Sequence, residues 1–288
     1  MSVMRLRTVV LFYLSALGFF AVLLYAAVSL FYLTKTSYLA VQTAKASILD
    51  EQITSLKAAI RQRKPITIPI LMYHYVEVVT DENDTFRKAH SIAPVVFESQ
   101  ITTLLDAGYH PIHFADLMQY FNGVKDLPNK PVILTFDDGY RDLYTDAFPI
   151  LQKREVKAVA YIVSGFIDLN KNYLTLPQLQ ELSRSPFIEI GAHSAHHLDL
   201  TLLTPQQSQQ EIFRSKQALE ALIGKPVVHF AYPYGTVNPL VEKQVKQGGF
   251  QTAVTVSEGT THLYANRLRL KRVRPENLTG DAFLNQLR

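Results

Sequence analysis

The sequence predicts an α/β fold: a distorted (β/α) barrel of about seven units, preceded by one transmembrane helix and a helical stalk. Three observations predict it. An uncharged N-terminal run is long enough to cross a membrane, the next segment has helical periodicity, and beyond Pro65 short apolar runs alternate with amphipathic stretches. Strands that alternate with helices are typical of a parallel sheet covered by those helices.

The N-terminal run carries no charged residue over positions 8–34. This exceeds the ~20 residues that a helix needs to span the hydrocarbon core. A cleavable signal peptide has an apolar core of only about 7–15 residues, so we favour an uncleaved anchor. Cleavage near positions 26 and 27 is the alternative.

The orientation of this anchor is predicted from its flanks. Arg5 and Arg7 precede the run and Lys35 and Lys45 follow it, so the positive-inside rule gives only a small bias. A short tail, residues 1–7, in the cytoplasm is the simplest arrangement. We therefore predict a single-pass membrane protein whose large domain, residues 66–288, lies outside the cytoplasm.

Residues 35–65 are predicted to form a helical stalk or linker. Val41, Ala44 and Ile48 are spaced as on one helix face, but the step from Ile48 to Ile53 breaks a strict heptad, and Pro65 ends the pattern. A solvated spacer helix is therefore favoured over a coiled coil. A weak dimer through the stalk stays open as an alternative.

The remaining chain is read from its apolar periodicity. Strands are predicted at residues 68–73, 132–136, 158–163, 188–191, 227–232 and 252–256, and helices at 95–107, 141–153, 176–184, 205–223 and 239–247. In barrels built this way, reactive groups lie where strands end and loops begin. The polar residues that follow each apolar run are therefore the candidates for function.

Composition excludes several kinds of site. The chain has no cysteine, which excludes disulfides, thiolate ligands and a cysteine nucleophile. The net charge is +4, but no Arg/Lys-rich run with interleaved aromatic residues occurs, so no nucleic-acid partner is expected.

Polar residues follow three of the predicted strands. Asp137 and Asp138 follow one, His193 and His197 another, and His74 the first. Two imidazoles four residues apart can reach one ion, and two His with one carboxylate leave coordination positions open, as catalytic zinc sites do. The second carboxylate then stays free to act as a base.

Each of these features also has a structural explanation. Asp-Asp-Gly is a common turn sequence. A His pair at this spacing arises by chance in a chain with nine histidines, and a single His74 is more often a core residue. Their joint occurrence after separate strands favours a metal site.

Three motifs together carry a family resemblance. The segments 135–140 (TFDDGY), 193–197 (HSAHH) and 230–235 (FAYPYG) resemble the polysaccharide deacetylases of carbohydrate esterase family 4. The resemblance runs from about residue 67 to about residue 275. The segment 71–74 (LMYH) and the late 272–274 (RVR) look most like the branch that acts on poly-β-1,6-N-acetylglucosamine.

The resemblance implies a role for each residue at these positions. Asp138, His193 and His197 would be the ligands of a divalent metal, usually zinc. Asp137 would be the general base that deprotonates the attacking water, and the backbone N–H of Tyr234 would help to hold the oxyanion.

Other positions depart from the family pattern. The general acid often comes from a late motif, which is missing here, and His74 fits the early histidine that replaces it in the branch above. The Arg that usually orients the base is replaced by Ala231, so Arg272, on another strand, is the hypothesis for that charge. The chain has no Trp, so Tyr232 or another aromatic residue is expected to form the groove wall.

The remaining histidines are given lesser roles. His196 is expected to point away from the metal. His90, His110, His113 and His229 are interpreted as surface or packing residues.

The expected activity is hydrolysis of N-acetyl groups on an extracytoplasmic, biofilm-type polysaccharide. A peptidoglycan or chitooligosaccharide deacetylase is the first alternative. An inactive, membrane-tethered glycan-binding module and a purely structural membrane protein are the others.

Overall fold

The computed structural model describes residues 3–287, with side chains from Leu17 onward. The first two residues of the predicted tail, and the side chains of Arg5 and Arg7, lie outside this description. The helices are α1 Val3–Arg63, α2 Thr85–His90, α3 Pro94–Asp106, α4 Phe114–Phe121, α5 Phe148–Lys153, α6 Leu176–Arg184, α7 Pro205–Ile223, α8 Pro239–Gln247 and α9 Gly280–Asn285.

The strands are short, as expected for a barrel with helical crossovers. They are β1 Ile66–Thr67, β2 Ile70–Tyr73, β3 His110–Pro111, β4 Pro131–Phe136, β5 Ala158–Ile162, β6 Ile188–Ala192, β7 His229–Ala231, β8 Thr252–Glu258, β9 Thr261–His262 and β10 Leu270–Arg272.

The chain forms two compact units, residues 1–55 and 56–288. The first contains α1 as far as Ser55, and the last turns of this helix belong to the second unit. From Leu17 onward, α1 is long and apolar enough to cross a membrane, a property that signal sequences share. Helix α1 ends two residues before Pro65, whose ring disfavours helical geometry in the residue before it.

The second unit is a parallel barrel. Its strands run in the order β10-β8-β7-β6-β5-β4-β2, and every neighbouring pair is parallel. Leu71 and Val273 form a parallel bridge between the two edges, where Met72 N–H donates to Val273 O at 2.9 Å. The predicted distorted (β/α) barrel is therefore confirmed. The strand prediction omitted β1, β3, β9 and β10.

Alternation along the strands divides the core. Side chains such as Ile70, Ile133 and Val159 point into the barrel, where α4 adds Phe114 and further apolar residues. Their neighbours in sequence pack against the surrounding helices. Both faces of the sheet are thus buried, as parallel sheets require, and only the strand ends remain for polar chemistry.

Candidate active site

Three side chains converge at the carboxyl ends of β4 and β6. The Asp138 Oδ1 atom lies 3.3 Å from Nε2 of His193 and 3.3 Å from Nε2 of His197. One ligand atom from each residue lies within 4.8 Å of the others. The loops after two strands that flank β5 therefore present two imidazoles and one carboxylate to a single point.

These residues fit a cation. His193 Nδ1–H donates to the carbonyl oxygen of Ala231 at 2.7 Å, which leaves the Nε2 lone pair directed at Asp138. The Asp138 Oδ1 atom is buried and has no hydrogen-bond partner within the described residues 3–287. Two ligands about 2.0–2.1 Å from a tetrahedral zinc are about 3.3–3.4 Å apart, in agreement with the observed spacing.

The electrostatics of the three groups also favour a positive ion. Burial opposes ionisation of Asp138, but the nearby imidazoles outweigh it, so the pKa of this carboxyl lies far below its ordinary value. Burial lowers the pKa of His197 to about 4, assisted by His193, so this imidazole is neutral and able to ligate near pH 7. Asp138 and Asp137 together overcome burial at His193 and raise its pKa.

Backbone strain is concentrated in the same loops. Four of the seven non-glycine residues that have positive φ in the described part of the chain lie in these loops: Asp138, Ser194, His197 and Tyr234, with φ between 56° and 71°, a region that non-glycine residues rarely adopt. Each such residue costs about 1–3 kcal/mol, and strain of this kind occurs where function requires a fixed geometry. At His197 the conformation is held because its N–H donates to Ser194 Oγ at 2.9 Å.

The second carboxylate has a different environment. Arg272 donates from Nη1 to Asp137 Oδ1 and from Nη2 to Asp137 Oδ2, both at 2.7 Å. The guanidinium also donates to Thr135 Oγ1 at 3.0 Å and to Thr255 O at 2.8 Å, and it is fully buried. A bidentate pair fixes the plane of the carboxylate.

This pair keeps Asp137 ionised. Burial would raise the pKa of Asp137, but the charge and hydrogen bonds of Arg272 outweigh burial, and the pKa falls below its ordinary value. The sequence hypothesis placed Arg272 beside the base in place of Ala231, and the structure brings these two groups together.

His74 lies at the carboxyl end of β2. His74 and His90 both line a cavity of about 460 Å³, and the centroids of their rings are 5.4 Å apart. Burial lowers the pKa of His74, although Asp137 and Asp138 partly oppose this. His90 was interpreted from the sequence as a surface or packing residue, so its position beside His74 was missed.

Comparison with known proteins identifies the family. The family model described as "Polysaccharide deacetylase" matches residues 124–253. A protein of Bacillus subtilis, named "Putative polysaccharide deacetylase YxkH", is 31% identical over 240 residues, which cover 83% of this chain and 82% of that protein. This chain belongs to the polysaccharide deacetylase family.

The deacetylase is also similar to proteins with more specific names. The poly-beta-1,6-N-acetyl-D-glucosamine N-deacetylase of Staphylococcus epidermidis is 28% identical over 68% of this chain and 71% of its own length. The solved structure of the Streptococcus pyogenes deacetylase PplD in complex with acetate has a TM-score of 0.71 at 28% identity. That match covers 78% of this chain and 99% of the other.

Two aromatic residues of the deacetylase differ in exposure. Tyr232 or another aromatic residue was expected to form the groove wall, and Tyr232 itself is fully buried, with its hydroxyl donating to Leu268 O at 2.9 Å. Tyr234 is exposed. Its ring lies 4.7 Å from that of His197, so Tyr234 borders the cluster of Asp138, His193 and His197.

His196 of the deacetylase does point elsewhere. Its Nδ1 atom lies 2.7 Å from Glu211 Oε1, and its backbone N–H donates to Glu211 Oε2 at 2.8 Å. Glu211, on α7, therefore holds the loop between His193 and His197. No sequence pattern marked Glu211, because its partner lies 15 residues away on another element.

Proposed function

We propose that this deacetylase removes N-acetyl groups from the N-acetylglucosamine residues of an extracytoplasmic polysaccharide, specifically poly-β-1,6-N-acetylglucosamine. The observation that carries the chemistry is a buried carboxylate, Asp137, paired with Arg272 beside a separate cluster of two imidazoles and one carboxylate that could hold a metal ion. The name of the Staphylococcus epidermidis relative supports the linkage.

The proposed cofactor is a divalent metal, with Zn²⁺ as the first candidate. Asp138, His193 and His197 would hold it, since two imidazoles and one carboxylate form a ligand set typical of catalytic zinc. When bound, such an ion would act as a Lewis acid, which polarises the acetamide carbonyl and makes water more acidic.

The protein groups divide the proton transfers. Asp137 takes a proton from the attacking water, and Arg272 keeps this carboxylate ionised and oriented. The Tyr234 N–H stabilises the oxyanion that forms at the acetamide carbon. His74 donates a proton to the nitrogen as the C–N bond breaks, which releases acetate and a free amine.

The proposed location follows from α1. It would act as a single-pass anchor that keeps the deacetylase outside the cytoplasm, near an exported polysaccharide. Carbonate washing of membranes should leave the full chain in the pellet at its full mass. Release of a shortened chain into the supernatant would identify a cleaved signal instead.

A side-by-side assay tests the substrate. Acetate release is measured on matched oligomers of β-1,6-linked and β-1,4-linked N-acetylglucosamine. We expect kcat/KM to favour the β-1,6 oligomer by about tenfold or more, because correct positioning of the acetamide depends on the linkage. Faster hydrolysis of the β-1,4 oligomer would support the peptidoglycan or chitooligosaccharide alternative.

A further inference from the structure

The backbone places two histidines side by side. Tyr75 and Ser91 form a parallel bridge, in which Tyr75 N–H donates to His90 O at 3.2 Å and Ile92 N–H donates to Tyr75 O at 3.0 Å. His74 and His90 each precede a bridged residue. The bridge brings the end of α2 beside the end of β2, and the two rings are neighbours with centroids 5.4 Å apart.

The ring of His90 is held in place. Its Nδ1–H donates to Phe86 O at 2.8 Å, and the ring stacks on Phe86 with centroids 4.3 Å apart. The Nε2 atom makes no hydrogen bond to the described residues, so it is available to exchange a proton. His90 is half-buried, between His74 and solvent.

The cavity that both rings line can hold water. Its volume, about 460 Å³, is far larger than the ~10–15 Å³ that one water molecule requires. Ser91 Oγ lies in its wall and is buried without a hydrogen-bond partner in the described part of the chain. Cavity water could satisfy this hydroxyl, and such water would connect the two imidazoles.

The charges around the pair are mixed. Lys88, on the same helix as His90, is paired with Glu82. Arg274 and Glu276, from the segment after β10, line the cavity with opposite signs. The carboxylates of Asp137 and Asp138 act on His74 from the other side, opposed by Arg272.

The proposed mechanism consumes one proton of His74 in each turnover. Because burial lowers the pKa of His74, its neutral form predominates near pH 7 and the proton must be replaced. We propose that His90 is the relay that returns this proton, taking it from solvent and passing it through cavity water to His74. The proposal rests on the role of His74 proposed above.

The protons balance over one cycle. Water gives one proton to Asp137 and its hydroxyl to the acetyl carbon. His74 gives one proton to the leaving nitrogen. Asp137 then loses its proton to solvent, and His90 returns one to His74, so amide and water become amine and acetic acid. His90 acts through His74 and does not touch the substrate.

The test uses the full chain with His90→Asn, whose amide can keep the bond to Phe86 O. The matched control is His110→Asn. His110 also bonds through Nδ1 to a backbone carbonyl, Asn129 O at 2.7 Å, but it lies on β3 at the opposite end of the barrel. Acetate release, zinc content and the dependence of kcat on added imidazole are measured for each.

We expect kcat of His90→Asn to fall about tenfold, less than the 10²–10⁴-fold expected on loss of a general acid, with unchanged KM and zinc content. Added imidazole should restore most of the rate, because it replaces the lost proton donor, and should leave wild type and His110→Asn unaffected. In ¹⁵N NMR titrations, the pKa of His74 should rise in His90→Asn, since a positive neighbour is removed.

Two results would overturn the relay. An unchanged kcat in His90→Asn would remove it while leaving the deacetylase mechanism intact. A lower kcat that imidazole does not restore would show that His90 only supports the local structure. Absence of acetate release by wild type on every N-acetylated glycan would instead remove the proposed function, and the relay with it.

Discussion

Asp137 and Asp138 are adjacent in the chain, yet their side chains meet opposite surroundings. Asp137 receives two hydrogen bonds from a buried guanidinium, while Asp138 Oδ1 faces two imidazoles and has no hydrogen-bond donor in residues 3–287. The left-handed backbone of Asp138, with φ of 71°, turns the second carboxylate away from the first. Two neighbouring acids can therefore have different roles.

Replacing Asp137 with Asn separates these roles. The amide oxygen can still accept one hydrogen bond from Arg272, but the amide cannot take a proton, so we expect kcat to fall by about 10²–10⁴-fold. Metal content, measured by elemental analysis, should not change, because Asp137 is not among the proposed ligands. Near wild-type deacetylation by purified Asp137→Asn would rule out its role as the base.

The ligand assignment is tested with a built-in control. His193→Ala and His197→Ala should each lower the bound zinc well below one ion per chain, because each removes one of three protein ligands. His196→Ala, in the same loop, should retain zinc, since His196 is paired with Glu211. Equal zinc content in all three variants would contradict the assignment.

At the residue scale, the sequence predicted which residues form the site better than it predicted which side chains contact them. The Asp-Asp and His-x-x-x-His patterns identified the metal-ligand candidates because both are local. The spatial partners of Asp137 and His74 could only be hypothesised or were missed, since Arg272 is 135 residues from Asp137. The burial of Tyr232 was also missed, because a motif does not reveal which face of its strand turns inward.

Among the elements, the end of α1 contributes to the barrel unit. Arg61 Nη1 donates to Tyr120 O and Lys125 O, both at 3.1 Å, and its guanidinium lies 4.4 Å from the Tyr120 ring centroid. The same side chain forms an ion pair with Asp126. The last turns of the predicted stalk therefore belong structurally to the barrel unit.

Truncation should show this contribution. We expect a 65–288 fragment to be less stable than a 56–288 fragment by about 2 kcal/mol, because it loses charge-assisted hydrogen bonds. For a unit of this size the loss corresponds to a Tm about 4–8 °C lower, measurable by calorimetry. Arg61→Met within 56–288 should reproduce most of the decrease, and equal Tm values would contradict the role of Arg61.

Another contact joins two elements of the site. Asp142, after β4, is buried and accepts a hydrogen bond from the N–H of Val76, just after β2. Burial raises its pKa to about 7, although the Val76 N–H opposes the rise. The pKa of an Asp in an unfolded chain is ~3.9. Asp142 therefore stabilises the folded state fully below about pH 4, and this contribution is lost as the pH rises through about 7.

Asp142→Asn should remove this pH dependence, because the amide keeps the acceptor for Val76 and never ionises. The difference in free energy of unfolding, variant minus wild type, should be larger at pH 8 than at pH 5, as measured by urea denaturation. Asp199→Asn serves as the control, since hydrogen bonds lower the pKa of Asp199 despite burial. Its difference from wild type should be the same at both pH values.

On the scale of the whole molecule, a metal would join segments that are distant in sequence. The ligand loops follow β4 and β6, and His193 is fixed by a carbonyl of β7. An ion that binds only the folded chain stabilises it by mass action. Its removal should therefore affect stability as well as activity.

Dialysis against a chelator tests this expectation. We expect the apo protein to lose acetate release and to unfold at a lower Tm, and stoichiometric zinc should restore both. His193→Ala should show no change in Tm on chelation. A wild-type protein whose activity survives dialysis to less than about 0.1 zinc per chain would contradict metal dependence.

The sequence by itself determined the alternation of strands and helices, six of the seven barrel strands, the polysaccharide deacetylase family and the candidate ligands, because apolar periodicity and short motifs are local properties. Only the tertiary structure decided that Arg272 meets Asp137, that Glu211 holds His196 and that His90 lies beside His74. The reason is physical: these contacts depend on how the strands pair around the barrel and how the helices pack against them. Pairing register is fixed by burial of the whole sheet, which no local pattern encodes.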